Sequence, residues 1–414
     1  MSKNLLLFGI FLCCFFIAPA QYMWQINKDS VITWYYQDGD EFNDTKLDMD
    51  KWDNGFPWGR TVMSQDLYFT SGEDLEESNG TLKFALNKRD YKVKLTRWDV
   101  DSAYLKKSKI VLDNDTFPFK YTAGLIWSKQ KYKYGYFEMR FKCPKNGKGM
   151  WPAFWMFGGN KNDEIDFFEI KCEKNNYVHV DVHCPDGCRN YIEGPGFHKA
   201  WGGWIKTKDY FDNGYNTIAG EWQNGYVKWY LNGKGIAYFK GSFETAMSVI
   251  ANMSVAKDGG PFDPGPDEST VYPGIMDVDY IRIWTKDNQL QKRVPVTFEE
   301  KPSAKSASSE LKGNKSSMKK KKRLLYGKKT KYKNEGVFVS LLRNTKTSYL
   351  LTMQGNETTP VSIEIKDTTG KIIFSESKYT EEFLQINMAD LAAGNYTFVV
   401  KYNDKIIQQE INYK

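Results

Sequence analysis

From Tyr22 to Thr285 the apolar positions recur at every second residue in short runs, and Gly, Pro, Asn or Asp punctuate the gaps. In Phe137-Glu138-Met139-Arg140-Phe141 the large apolar side chains share one face. In Val178-His179-Val180-Asp181-Val182-His183 the valines take one face and the ionisable residues the other. Side chains alternate along a strand, so each run reads as a half-buried strand with one dry face. No long stretch repeats with a 3.6-residue period. The pattern predicts an all-β sandwich or jelly roll over residues 21–287. Strands resume after residue 336, in Val361–Ile365, in Ile372-Ile373-Phe374 after a Thr369-Gly370 turn, and in Asn395–Val400, predicting a second, small β-sandwich over 336–414. The intervening 288–335 segment is polar and Lys/Ser-rich, which reads as a linker.

Composition sharpens this division. All thirteen tryptophans lie between Trp24 and Trp284. The net charge is +7, yet the stretch 311–333 holds eleven Lys/Arg and no acid, so the rest of the chain sums to −4. The basic character is local to the linker and gives no support to nucleic-acid binding by the folded parts. The chain opens with Lys3, an apolar run from Leu5 to Ile17 and Ala18-Pro19-Ala20, the tripartite pattern of a secretory signal peptide over 1–20. Four cysteines follow it, Cys143, Cys172, Cys184 and Cys188, an even number that suits an oxidising compartment. Cys184 and Cys188 bracket a turn that a disulfide can close. Cys143 and Cys172 both fall on core faces, as a second disulfide or as two buried thiols.

The chemistry concentrates in Glu164-Ile165-Asp166-Phe167-Phe168-Glu169. Strict alternation puts Glu164 and Asp166 on one face and turns Glu169 into the core, where an unpaired carboxylate costs several kcal/mol. A β-bulge at Phe167-Phe168 resets the alternation, so that all three acids face one side. Ile165, one of the phenylalanines, Ile170 and Cys172 then face the core. Two glutamates so placed can approach the roughly 5–5.5 Å carboxyl separation of retaining glycosidases. Asp166 between them raises the proton affinity of one and orients the other. A polar strand face walled by aromatics such as Trp151 and Trp155 suits a sugar polymer, whose rings stack and whose hydroxyls bond carboxylates and imidazoles.

These residues resemble the laminarinase-type glycoside hydrolase family 16, whose signature on a bulged strand EIDFFE matches in full. The likeness extends through Ala123–Ser128, Tyr134–Glu138, Gly149–Trp155, Glu221-Trp222, Trp229–Gly233 and Met276–Tyr280, and covers roughly residues 31–284. It implies a curved β-jelly roll with an open cleft, Glu164 as nucleophile, Glu169 as acid/base and Asp166 as their assistant. Trp151, His183 and Trp127 become substrate-binding residues of the cleft. His179 is expected to be structural or solvated, and Trp201 and Trp204 to pack within a loop. No cofactor is expected for catalysis. The family's structural calcium falls on Asp279, with the Gly80 carbonyl as a further ligand. The implied activity is retaining endo-hydrolysis of a β-1,3- or β-1,3-1,4-glucan. Gly158–Asp163 departs from the family's Trp-Pro approach, and Phe168 stands where many members carry Met. An agar- or carrageenan-type galactan is therefore the alternative substrate, and a non-catalytic glucan-binding lectin the alternative function. Residues 340–414 resemble the C-terminal sorting domains of type IX secretion, which implies contact with secretion machinery and a secreted or cell-surface location. The chain is otherwise expected to be a monomer whose partner is its polysaccharide.

Overall fold

The structure, a computed structural model, describes residues 22–97, 99–158, 163–189, 197–286, 336–343, 348–355, 359–379 and 383–413. The expected signal peptide and the 288–335 linker lie outside the described residues, as do the side chains of Cys188 and His198. Strands dominate. The one α-helix among the described residues, Ser102–Ser108, starts where the Asp101 carboxylate accepts from the Tyr104 N–H.

Two sheets enclose the main core. One has seven strands in the order Phe197–Lys206, Tyr177–Arg189, Asp163–Ile170, Met150–Gly158, Met247–Val255, Leu125–Tyr132 and Trp52–Asp53. Its dry face carries Ile165, Ile170, Val178, Val180 and Val182, all fully buried. Facing them across the core are Phe137, Met139 and Phe141 of the strand Gly135–Lys142, which lies between Asn216–Gln223 and Gly274–Thr285 in the second sheet. Period-two patterning thus produced the fold it predicted, an open all-β sandwich with a polar face on the far side of the seven-stranded sheet.

The bulge is present. Along one edge of Asp163–Ile170, Asp166 pairs with Asp181 and Glu169 with His179, so Phe167 and Phe168 together oppose Val180 alone. Both phenylalanines turn into the core, where one was expected to. Phe168 stacks on Phe141 at 4.2 Å between ring centroids, and Phe167 on Phe137 at 5.5 Å. The facing sheet is shaped to receive them. Gly220 leaves room for the Phe167 ring, since a Cβ there would lie 2.1 Å from Cε1. The buried Trp229 donates its indole N–H to the Asp166 carbonyl at 2.9 Å, satisfying a main-chain group at the bulge.

The C-terminal strands form a second sandwich, with a four-stranded sheet of Ile372–Lys378, Val361–Lys366, Gly394–Tyr402 and Lys405–Tyr413. Its other layer contains a surprise. The strand Tyr22–Ile26, expected to belong to the large unit, pairs with Val31–Asp40 on one side and with Val337–Arg343 on the other. Its Trp24 and Ile26 are buried in the small core. Sequence alternation could not reveal this, because a strand buried on both faces has no solvent-facing side to mark which core each face enters. Among the cysteines, Cys143 and Cys172 are buried free thiols in hydrogen-bonding reach of each other, and Cys184 is disulfide-bonded.

Gly220→Ala should drive a methyl into the Phe167 ring and destabilise the domain by about 1–3 kcal/mol. Urea unfolding checks this, and Phe167→Leu in the same chain should recover part of the loss.

Candidate active site

The bulge lays Glu164, Asp166 and Glu169 on the polar face of the seven-stranded sheet, and the neighbouring strands supply what surrounds them. Trp151, on Met150–Gly158, donates its indole N–H to Glu169 Oε1 at 3.1 Å. His179, on Tyr177–Arg189, places Nδ1 3.1 Å from Glu169 Oε2. Both oxygens of this carboxylate are therefore held. His183 lies opposite Glu164 in register, with Nε2 3.3 Å from Asp181 Oδ1 and 3.6 Å from Asp166 Oδ2. Asp181, directly across from Asp166, reaches His179 Nδ1 at 3.6 Å with its other oxygen.

Electrostatics distinguish the four acids. The negative charge of Asp181 pushes the His183 imidazole up to about 10 against the opposing effect of burial, although the side chain is 44 % exposed. Burial raises Asp181, but the His183 cation, a hydrogen bond from Asp166 and His179 outweigh it and hold its carboxyl well below the usual range. Asp166 moves the other way, far up, through burial and the negative charges of Glu164 and Asp181. Asp166 therefore holds a proton more readily than Asp181, and the two carboxyls hydrogen-bond to each other. Asp166 Oδ2 and Asp181 Oδ1 are both buried and both flank the His183 Nε2, at 3.6 and 3.3 Å. Burial raises Glu164 to about 7, with the His183 cation opposing and Asp181 and Glu169 adding to the rise. Burial also raises Glu169, while the His179 hydrogen bond counters it. His179 itself is pulled down by burial and more strongly up by Asp181 and Glu169.

Aromatic rings line both ends of this row. Beside Glu169, Trp151 stacks on Phe262 at 4.1 Å with the rings 9° apart, and Trp204 leans on Phe262 at 5.2 Å. Towards Glu164, Phe56 stacks on Trp58 at 4.8 Å and meets Trp155, whose N–H donates to Asn252 Oδ1.

The structure therefore gathers Glu164, Asp166, Glu169, Trp151 and His183 as expected. Trp127 differs: it exposes only 4 %, edge-on to Phe56 and Trp58, so it props the aromatic wall and offers no face to a ligand. His179, expected to be structural or solvated, touches Glu169 directly. The period-two pattern had already put His179 and Asp181 on the face of His183, so both were findable. Trp204 also joins the site, while Trp201 is buried against Trp229. Phe262 sits in a loop and left no periodic signal.

Asp279 does not fit the expected calcium. Its Oδ2 lies 2.5 Å from Arg140 Nη1, and that guanidinium is held over the rings of Tyr215 and Phe383. Gly80, at φ +74°, turns at the same end of the sheet, since its strand pairs Leu82 with Val278. A fixed cation nevertheless stands where the carboxylate would meet the metal. Donor atoms of Glu164, Asp166 and His183, and of Glu169, His179 and Asp181, converge within 4.8 Å in each group, but they are engaged in the proton network above.

Residues 63–259 match the profile of Glycosyl hydrolases family 16. Residues 63–259 are a family 16 domain. Residues 346–413 match the Secretion system C-terminal sorting domain, which makes the protein secreted or cell-surface. The chain is 27% identical over 239 residues to the clotting factor G alpha subunit of Tachypleus tridentatus, covering 52% of this chain and 32% of that one. It is 26% identical over 288 residues to glucan endo-1,3-beta-glucosidase A1 of Niallia circulans, covering 59% and 37%. It thus spans about a third of the length of these relatives. The catalytic domain of an endo-1,3-beta-glucanase (laminarinase) from Thermotoga petrophila superposes with a TM-score of 0.50 at 23% identity, over 62% of this chain and all of that one. The fold of the family 16 domain is accordingly a jelly roll.

Removing His179 takes away a hydrogen bond that favours the ionised form of Glu169. In His179→Gln the Glu169 carboxyl should titrate at higher pH than in the unaltered chain, read by carbon NMR of labelled glutamate side chains. The Glu164 carboxyl should titrate near 7 in the unaltered chain.

Proposed function

We propose that the family 16 domain is a retaining endo-glycosidase acting on a β-1,3- or β-1,3-1,4-linked glucan. The observation that carries this is the pair of glutamates on one strand face with different fixtures. Glu164 faces the His183 cation, which stabilises the carboxylate that must attack. Glu169 lies at the far side of the bulge, bound by Trp151 and His179. In the first step the Glu164 carboxylate bonds to the anomeric carbon as the glycosidic bond breaks, and Glu169 gives its proton to the leaving oxygen. In the second, Glu169 takes a proton from water, the water oxygen bonds to the anomeric carbon, and the ester to Glu164 breaks. Asp166, pushed far up by burial and its acidic neighbours and hydrogen-bonded to Asp181, lies between the two.

Charge placement favours a neutral glucan over a sulfated galactan. Arg140 and Lys142 alternate with the core residues Met139 and Phe141, so they point out of the opposite sheet, towards Asp279 and Asp277. Lys171 does stand at the cleft, 5.8 Å from the Trp204 ring, but Asp263 pairs with its charge. The name of the Niallia circulans relative supports the same substrate. A lectin-like role has less support, because it requires neither glutamate. The C-terminal domain, we propose, serves export through the secretion machinery, and the division of the chain is 21–287, 288–335 and 336–414 apart from the exchanged first strand.

Reducing-sugar release from laminarin, mixed-linked β-glucan, agarose, porphyran and κ-carrageenan tests the reading. Cleavage of the glucans with Glu164→Gln inactive is the expected result; binding without cleavage would return the lectin. Glu169→Gln should lower kcat by about 10²–10⁴ on polymer and by less on aryl glycosides, whose leaving groups need no proton. His183→Gln should move the acidic limb of kcat/KM to higher pH, since the lost cation had favoured ionised Glu164.

A further inference from the structure

The strand Tyr22–Ile26 stands at the join of the two units and is buried on both faces. One ladder ties it to Val31–Asp40, with Tyr22 opposite Tyr35. The other ties it to the C-terminal strand Val337–Arg343, with Tyr22 opposite Leu341 and Ile26 opposite Val337. Trp24 and Ile26 enter the core of the small sandwich beside Val339, Leu341 and Met353. From the other face Met23 joins Trp34, Tyr136, Tyr230 and Trp284, which project from the outer side of the enzyme sheet. Phe338 and Leu342 of the C-terminal unit complete that second cluster, with the Phe338 ring 5.4 Å from Tyr136 and 5.2 Å from Tyr230.

Polar groups are matched across the same join. Gln354 donates to Glu138 Oε2 at 3.2 Å and to the Tyr280 hydroxyl at 3.4 Å. Arg282, fully buried, pairs with both oxygens of Glu41 at 2.7 and 2.8 Å and reaches Thr352 at 3.5 Å. The turn glycine Gly233 has its α-carbon against the Gln354–Gly355 backbone, where a Cβ would come within 2.7 Å. A tethered domain that merely rests on its neighbour needs neither a shared sheet nor side-chain hydrogen bonds buried between the two units. Strand addition combines main-chain hydrogen bonds with pockets for alternate side chains.

We propose that Tyr22–Ile26 is donated by the enzyme domain to complete the C-terminal sandwich, and that the outer face of the enzyme sheet is a docking surface for that sandwich. The pair stays together without a covalent link. The sorting domain is thus carried as a bound subunit of the enzyme, and cutting the segment between them does not release it.

The test inserts a site-specific protease sequence between Ser316 and Ser317 of the chain and cuts it under native conditions. Size-exclusion chromatography with light scattering should give one peak holding both fragments at the mass of the uncut chain. Fragments that separate at micromolar concentration would overturn the proposal. In the same sample, amide exchange at 22–26 and 337–341 should be as slow after cutting as before, and loss of that protection would also overturn it. Trp24→Ala should weaken the cut pair at least about tenfold; unchanged retention would show that this strand is not the anchor. None of these readings requires a substrate, so they stand or fall separately from the glycosidase assignment.

Discussion

One extra residue in one strand governs this molecule. Without the bulge at Phe167-Phe168, Glu169 would be driven into a core of phenylalanines, and the acids could not share a face. Inserting the residue leaves main-chain groups out of step and sends two large rings inward. Both consequences are absorbed by the opposite sheet, through the Trp229 indole on the Asp166 carbonyl and the space left by Gly220. The site is therefore held from behind by a layer that never touches its polar face. Rigid support of this kind is what a reacting geometry needs.

In front of the bulge, cross-strand register does the rest. Glu164 meets His183, Asp166 meets Asp181 and Glu169 meets His179, each pair set by the ladder. Four carboxyls would repel one another severely in a partly dry site. Two imidazoles and the hydrogen bond between Asp166 and Asp181 offset that repulsion and leave the acids unequal. Unequal acids are what a two-step displacement requires, one ready to attack and one ready to exchange protons.

The fold was legible because period-two alternation and turn residues are local signals, and the signature strand was legible because its acids break that alternation. The bulge followed from the cost of burying Glu169. The pairing of His179 with Glu169 was within reach, but depends on a register between strands that no single strand states. Trp127 misled, since a tryptophan in a strand flanking a cleft looks the same whether it faces the ligand or props the ring that does. Asp279 misled for a related reason: the guanidinium that occupies it comes from another strand. The first strand was invisible as a shared element, because its five residues carry no mark of which core they enter.

The central claim is that Glu164 forms a covalent bond to the sugar. A 2-deoxy-2-fluoro laminaribiosyl fluoride tests this most directly, since the fluorine slows both steps by disfavouring positive charge at the anomeric carbon while the good leaving group lets the first proceed. Peptide mass spectrometry of the treated protein should find one glycosyl adduct, on Glu164. An adduct on Glu169 or Asp166, or hydrolysis of polymer with inverted product and no adduct, would contradict the account.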